Sequence, residues 1–307
     1  MSRSRILRIA LHRLDTNALI GTAAALGAVA IWAGWIVATH HAIDHAVGPA
    51  TIGLLRFTIP ALVFGPVWWR TGLKPNGLSW TTMAALLGFG APFFVVTGYA
   101  MEFAPAPDVA PLLSGVMPLL VALMAMKSGE VFTSARKCGL LLIGTGVVFL
   151  VGFSAFDAGG VWRGHLLLIG AAAMWAVYTL AYKRSGLDAI EAAALVSAWS
   201  TIVLLPFGAP GLLGVIAAGG ATEMVTQAGI QGVLSGVLAI VLYGVAITCL
   251  GTTRGAALTA LVPVIAATLS TAFLQVLPTV ASLIAILATT AGVALASGAL
   301  DGRGNPN

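Results

Sequence analysis

The chain has 307 residues, 59% hydrophobic and only 8% charged, with a formal net charge of +5; an ordinary soluble domain carries roughly 25% charged residues. Fifteen Lys and Arg and ten Asp and Glu are too few to clothe a water-facing surface, and a mean hydropathy of +1.01 excludes a soluble enzyme, a disordered chain and a coiled coil. The basic residues stand singly between apolar runs instead of clustering on one element, which excludes nucleic acid as a partner, while Cys138 and Cys249 lack the CxxC spacing of a metal site or disulfide framework.

A helix crossing about 30 Å of hydrocarbon needs about 20 apolar residues. Ten windows meet that length, near 18–39, 49–69, 80–101, 108–126, 137–153, 164–182, 189–208, 227–249, 255–273 and 279–298. They are too long and continuous for barrel strands, so the expected fold is an all-α integral membrane protein of ten transmembrane helices. A basic segment, 1–17, precedes the first window, and a tail, 299–307, follows the last. Placing the N-terminus in the cytoplasm puts Arg3, Arg5, Arg8, Arg13, Arg70, Lys74, Lys127, Arg136, Lys137, Lys183, Arg184, Arg254 and Arg303 inside, leaves Arg163 outside and Arg56 within a span. By the positive-inside rule both termini are then cytoplasmic. The first apolar run continues past the signal-like Ala28-Val29-Ala30 to Thr39, too far for a cleaved leader.

The first and sixth windows read alike. Gly27-Ala28-Val29-Ala30-Ile31-Trp32-Ala33-Gly34-Trp35 matches Gly170-Ala171-Ala172-Ala173-Met174-Trp175-Ala176-Val177-Tyr178, and in the same phase Thr58-Ile59 meets Thr201-Ile202 and Phe64-Gly65 meets Phe207-Gly208. Val116-Met117-Pro118 pairs similarly with Leu261-Val262-Pro263, each proline being followed at a distance by Glu130 or Gln275. The chain thus divides into two five-helix halves, 18–153 and 164–298, joined by an outer linker, 154–163. Two copies of an odd-span unit must lie in the bilayer with opposite orientations, an arrangement used by secondary transporters.

Ten windows in two halves, Trp in the first helix of each, Leu55-Arg56-Phe57 in the second and the Pro118 to Glu130 pattern together resemble the EamA repeat of the drug/metabolite transporter superfamily. The resemblance implies a multi-pass exporter of the bacterial-type inner membrane, carrying amino acids or other metabolites, with an aromatic preference. It further implies a central cavity between the halves, lined by the first, third, fourth, sixth, eighth and ninth helices. The second half departs from the pattern, with Trp199 at the Arg56 position and Gln275 at that of Glu130.

Candidate pathway residues follow. Arg56, roughly 10 Å below the surface by helical rise, faces a cavity or a partner: either a substrate carboxylate, or an ion pair with Glu102 or Asp108, or the interface by snorkelling. Trp32 and Trp35, and Trp175 and Tyr178, stand three apart on repeat-related helices; they form a stacking wall for aromatic or cationic solutes, or pack as anchors. Tyr99 and Tyr243 add hydroxyls. Pro118 and Pro263 free backbone carbonyls mid-span and act as hinges or as fixed kinks, with Ser114 and Thr259 one turn before them lining the cavity. Trp68, Trp69, Trp80 and Trp162 lie at span ends as interfacial belt residues. His40, His41, Asp44 and His45 read as a solvated outer loop, and no metal is expected there. Glu130 salt-bridges or caps the loop it shares with Lys127, Arg136 and Lys137, and Gly232-Val233-Leu234-Ser235-Gly236 is a GxxxG packing motif, within the chain or between copies.

The sequence contains no P-loop, HExxH or GxSxG, and no acidic residue falls at the centre of a window. The reading is therefore an exporter working by alternating access on a small-molecule substrate, without cofactor and with proton coupling disfavoured. An exporter of other metabolites or cationic drugs is the alternative, and a membrane-embedded enzyme or receptor the alternative of another class. Substrate range and oligomeric state, monomer included, stay open.

Overall fold

The computed structural model describes residues 3–127 and 129–298, with side chains from residue 16 onward. The expectations for the tail 299–307, including Arg303, and for the side chains of Arg3, Arg5, Arg8 and Arg13 lie outside these residues. Among the described residues there is no strand. The helices are α1 (Arg3–Asp44), α2 (Pro49–Val63, continued by Gly65–Thr71), α3 (Trp80–Met101), α4 (Ala106–Lys127), α5 (Ser134–Ser154), α6 (Val161–Ser185), α7 (Ala189–Ala217), α8 (Ala221–Leu250), α9 (Thr252–Leu274) and α10 (Val280–Ala296). Eight are long and apolar enough to span a bilayer, α2 with its continuation makes nine, and α10, with 17 residues, is apolar but shorter.

Three departures from the expected windows have local causes. α2 turns by 72° after Val63 instead of running on to residue 69. Pro66 cannot donate to the carbonyl of Leu62, and the indole of Trp68 donates across the bend to Ala61 O at 2.7 Å. Trp68 thus holds the bend, whereas Trp69 is 79% exposed, as a belt residue would be. α3 is interrupted at Gly88–Gly90, just before Pro92. There Ser200 Oγ of α7 accepts the Ala91 N–H at 2.9 Å, and a Cβ on Gly90 would run into that hydroxyl. α7 continues through Pro206 and Pro210 to Ala217.

α1 packs on α8 and α9, while α6 packs on α3 and α4; α2 packs on α7, α4 on α9 and α5 on α10. Exchanging each helix with the one five places later maps this set of neighbours onto itself, as two related halves require. Lipid gives apolar helices no reason to leave it, so close backbone approach holds them together. A Cβ on Gly139 of α5 would lie 2.5 Å from Gly292 O of α10, and one on Gly292 would lie 2.7 Å from Gly139 O. The GxxxG glycines serve the same end within the chain: Cβ atoms on Gly232 and Gly236 would lie 2.5 Å from Ile59 and Pro60 of α2.

At one end of the bundle a polar group ties the halves. Asp108 Oδ2 of α4 meets His165 Nε2 of α6 at 3.0 Å, and His165 Nδ1 meets Ser154 Oγ of α5 at 2.9 Å. The Asp108 and His165 side chains are 4% and 1% exposed, so Asp108 is not the partner of Arg56. Nearby, His40 bonds Asp44 at 3.0 Å and Ala104 O at 3.3 Å, and among the described residues no metal-like cluster exists. Glu130 pairs with Arg136 at 2.7 Å, an exposed contact of small energetic weight.

Gly139→Val is expected to separate α5 from α10 and lower stability by about 2 kcal/mol, as overpacking does, whereas Gly170→Ala, with nothing within 4 Å of the new methyl, should be neutral or stabilising. His165→Ala, which strands the Asp108 carboxylate among apolar groups, should cost roughly 3 kcal/mol. Thermal unfolding in detergent reads all three, and melting temperatures of Gly139→Val and His165→Ala equal to that of the wild type would refute the two losses.

Candidate functional site

α2 is clamped on both sides: Thr51 Oγ donates to Gly208 O of α7 at 3.1 Å, and Gly236 of α8 approaches the Arg56 carbonyl, to which a Cβ would come within 3.0 Å. This fixes Arg56, whose side chain points into the bundle. Its Nη1 donates to Ser235 Oγ of α8 at 2.6 Å. Its guanidinium carbon lies 5.0 Å from the Trp35 ring, 5.7 Å from Phe94 and 5.9 Å from Phe57. These are cation–π distances, and the rings also meet each other, Trp35 with Phe94 at 6.2 Å and Phe57 with Phe94 edge-on at 6.0 Å.

No carboxylate lies within salt-bridge distance of Arg56 among the described residues. The expected pairing with Glu102 or Asp108 is thus absent, and snorkelling is excluded because the guanidinium is ringed by protein. Arg56 nevertheless keeps some accessible surface.

The other expected residues separate into groups. Trp32, one turn from Trp35 on α1, meets Tyr243 of α8 at 5.2 Å, tilted by 58°. Trp175 and Tyr178 of α6 instead meet α3: Phe89 stacks on Tyr178 at 4.5 Å and on Trp175 at 5.6 Å, and Phe93 approaches Trp175 at 6.2 Å. The rings of α1 and α6 make no direct contact with one another, so the continuous wall across the two-fold axis is not formed. α3 joins the two sets through adjacent residues, Phe93 toward Trp175 and Phe94 toward Trp35. Phe89 lies in the interruption of α3.

Tyr99 is 49% exposed and makes no ring contact or hydrogen bond among the described residues, so it does not join the group. Ser114 and Thr259 donate to carbonyls of their own helices, Ala110 O at 2.6 Å and Ala256 O at 2.7 Å. The two prolines differ: α4 runs unbroken through Pro118, while Pro263 follows a 3₁₀ turn, Thr259–Leu261. Two hollows of about 430 and 520 Å³ lie on the surface, by Gly65–Arg70 and Leu120–Lys127, and none of the expected pathway residues lines them.

Phe89, Phe93, Phe94 and Ser235 escaped the sequence reading, as did Gln227 and Gln231, which are 1% and 0% exposed. The signal was present. Gln227, Gln231 and Ser235 recur every four residues in an otherwise apolar run, and intramembrane polar side chains mark function, but attention to charged residues alone passes them over. All but Gln227 fall in a wide-turned π segment of α8, Ala228–Leu238, a rare geometry frequent at functional sites.

A solved structure described as a crystal structure of a protein is similar to this chain, with a TM-score of 0.54, 22% identity, and coverage of 92% of this chain and 95% of that one. It shares the fold. No curated protein sequence matches the chain. Each half of the sequence matches the EamA-like transporter family, over residues 19–152 and 162–298, and with two repeats of helices in the places described above, this chain belongs to that family.

Proposed function

We propose that the protein exports amino acids, aromatic ones in preference, across a bacterial-type inner membrane by alternating access. α10 serves as the tenth span, the halves at 18–153 and 164–298 lie inverted, and both termini are cytoplasmic, as the distribution of Lys and Arg supports. Membership of a transporter family supports a small-molecule substrate and transport in place of catalysis.

One observation carries the choice of substrate. Arg56 is a half-buried cation with a single neutral hydrogen-bond partner and three aromatic neighbours. A cation held this way at a costly depth complements a carboxylate. Trp35, beside it, is one turn from the Trp32–Tyr243 pair, so a carboxylate on Arg56 brings a substrate ring within reach of aromatic stacking. A cationic drug would instead be repelled by Arg56.

Purified protein in liposomes preloaded with amino acids and quaternary amines should release an aromatic amino acid faster than protein-free vesicles do; release of none would remove the transport reading. Arg56→Gln should slow amino-acid efflux by at least tenfold, since a charge-assisted hydrogen bond is worth about 1.5–3 kcal/mol. Trp32→Ala should slow it with no loss of folded protein, and unchanged flux would remove the stacking role.

Stability should move the other way. Arg56→Met removes a charge without a counterion, so it should raise unfolding stability by about 1–2 kcal/mol while abolishing flux. Ser235→Ala, which removes the guanidinium's acceptor, should lower it by about 1–3 kcal/mol. Denaturation in detergent alongside the flux assay tests this, and a destabilised Arg56→Met would make Arg56 structural.

A further inference from the structure

We propose that Gln231 recognises the ammonium group of an α-amino acid, its amide oxygen accepting from the substrate nitrogen while Trp35 Nε1 and the free N–H groups of Arg56 donate to the carboxylate. This rests on the amino-acid reading above and adds the group that separates a zwitterion from a simple anion.

The orientation of the Gln231 amide is dictated from the end of α8. Gln227 Nε2 faces Ala38 O at 3.1 Å and Glu223 Oε1 at 2.9 Å, groups that only accept, so the Gln227 oxygen must point onward. There it accepts from Gln231 Nε2 at 3.2 Å. Gln231 Nε2 also donates to Thr39 Oγ at 3.0 Å, whose own proton is committed to Trp35 O at 2.7 Å. Reversing the Gln231 amide would set two oxygens against each other at Gln227. The relay from Glu223 therefore leaves Gln231 Oε1 as an acceptor with no partner, in a residue that is 0% exposed.

The orphaned donor is as specific. Trp35 Nε1 is buried and has no acceptor, and the guanidinium of Arg56 spends one N–H on Ser235 out of five. These groups lie on one closed circuit. Trp35 and Thr39 are a turn apart on α1, Gln231 and Ser235 a turn apart on α8, Thr39 bonds Gln231, and Arg56 of α2 both bonds Ser235 and lies over Trp35. Buried groups left unpaired cost their full desolvation, and what satisfies all of them at once is a carboxylate joined to an N–H donor. A phosphate or plain carboxylate would leave Gln231 Oε1 facing a like-charged oxygen, and a quaternary amine has no proton to give it.

The test is equilibrium binding of phenylalanine and of 3-phenylpropionate, the same molecule without the ammonium, to full-length protein in lipid nanodiscs. Wild type should prefer phenylalanine by about tenfold or more. Gln231→Leu should reduce that preference to about twofold or less while phenylpropionate binds as before. Gln227→Met, which removes the oxygen that orients the Gln231 amide while Gln231 itself stays, should shrink the preference in part, because the Gln231 amide is then free to reverse; it decides alone where Gln231→Leu does not fold. Equal weakening of both ligands by Gln231→Leu, or an undiminished preference in Gln227→Met, overturns the assignment. Wild type that binds both ligands equally overturns it and leaves the carboxylate on Arg56 standing, and wild type that binds neither removes the amino-acid reading and this assignment with it.

Discussion

Hydrocarbon has no hydrogen bonds to offer, and from this follows most of what the chain does. Backbone groups must be satisfied within helices, and the helices, which lose nothing by lying in lipid, cohere only where their backbones come close. Gly139 against Gly292, and Gly236 against the Pro60 turn, are such places. Where a helix is interrupted, another element supplies the missing partner, as Ser200 Oγ does for the Ala91 N–H and Trp68 for the Ala61 carbonyl. Each repair fixes a position: the first sets Phe89 against α6, and the clamp of α7 and α8 on α2 delivers Arg56 to the interior.

The same medium makes Arg56 informative. Its three rings contribute about 2 kcal/mol each when desolvated and one hydroxyl about 1.5–3 kcal/mol, gains of the same order as the several kcal/mol that moving an ion from water costs. Nothing about holding α2 in place requires that expense, since the glycine contacts do so already.

The fold was legible because its signals are properties of long runs. Among the described residues hydropathy marked the eight helices long enough to span, the bent ninth and the shorter apolar helix Val280–Ala296, and the tryptophans at 32 and 175 pointed to the repeat. The bend at Gly65-Pro66 and the continuation of α7 past Pro206 were not legible, because a proline's outcome depends on which neighbour repairs the freed carbonyl. Of the expected pathway residues, Arg56 lies against Trp35 and Trp32 against Tyr243, while Tyr99 faces outward and Trp175 and Tyr178 stack on α3. Pairings such as Asp108 with His165, 57 residues apart, are set by helix neighbours that no single-sequence periodicity contains. The glutamines were passed over for a different reason: their four-residue recurrence in an apolar run is a signal in the sequence, but they carry no charge to draw attention to it.

Two repeats impose a relation between contacts that neither half knows alone. The α1–α8 and α6–α3 interfaces are exchanged by the pseudo-symmetry, and both carry aromatic pairs, Trp32 with Tyr243 and Tyr178 with Phe89. They are unequal here: the first is tilted by 58° at 5.2 Å, whereas the second is stacked at 26° and 4.5 Å, with Trp175, Phe93 and Tyr182 joined to it. The charged and amide chemistry does not exchange, because Trp199 stands where Arg56 would and bonds Leu73 O instead. The scaffold is thus two-fold, while among the described residues the polar circuit through Arg56, Ser235, Gln231 and Thr39 occurs once.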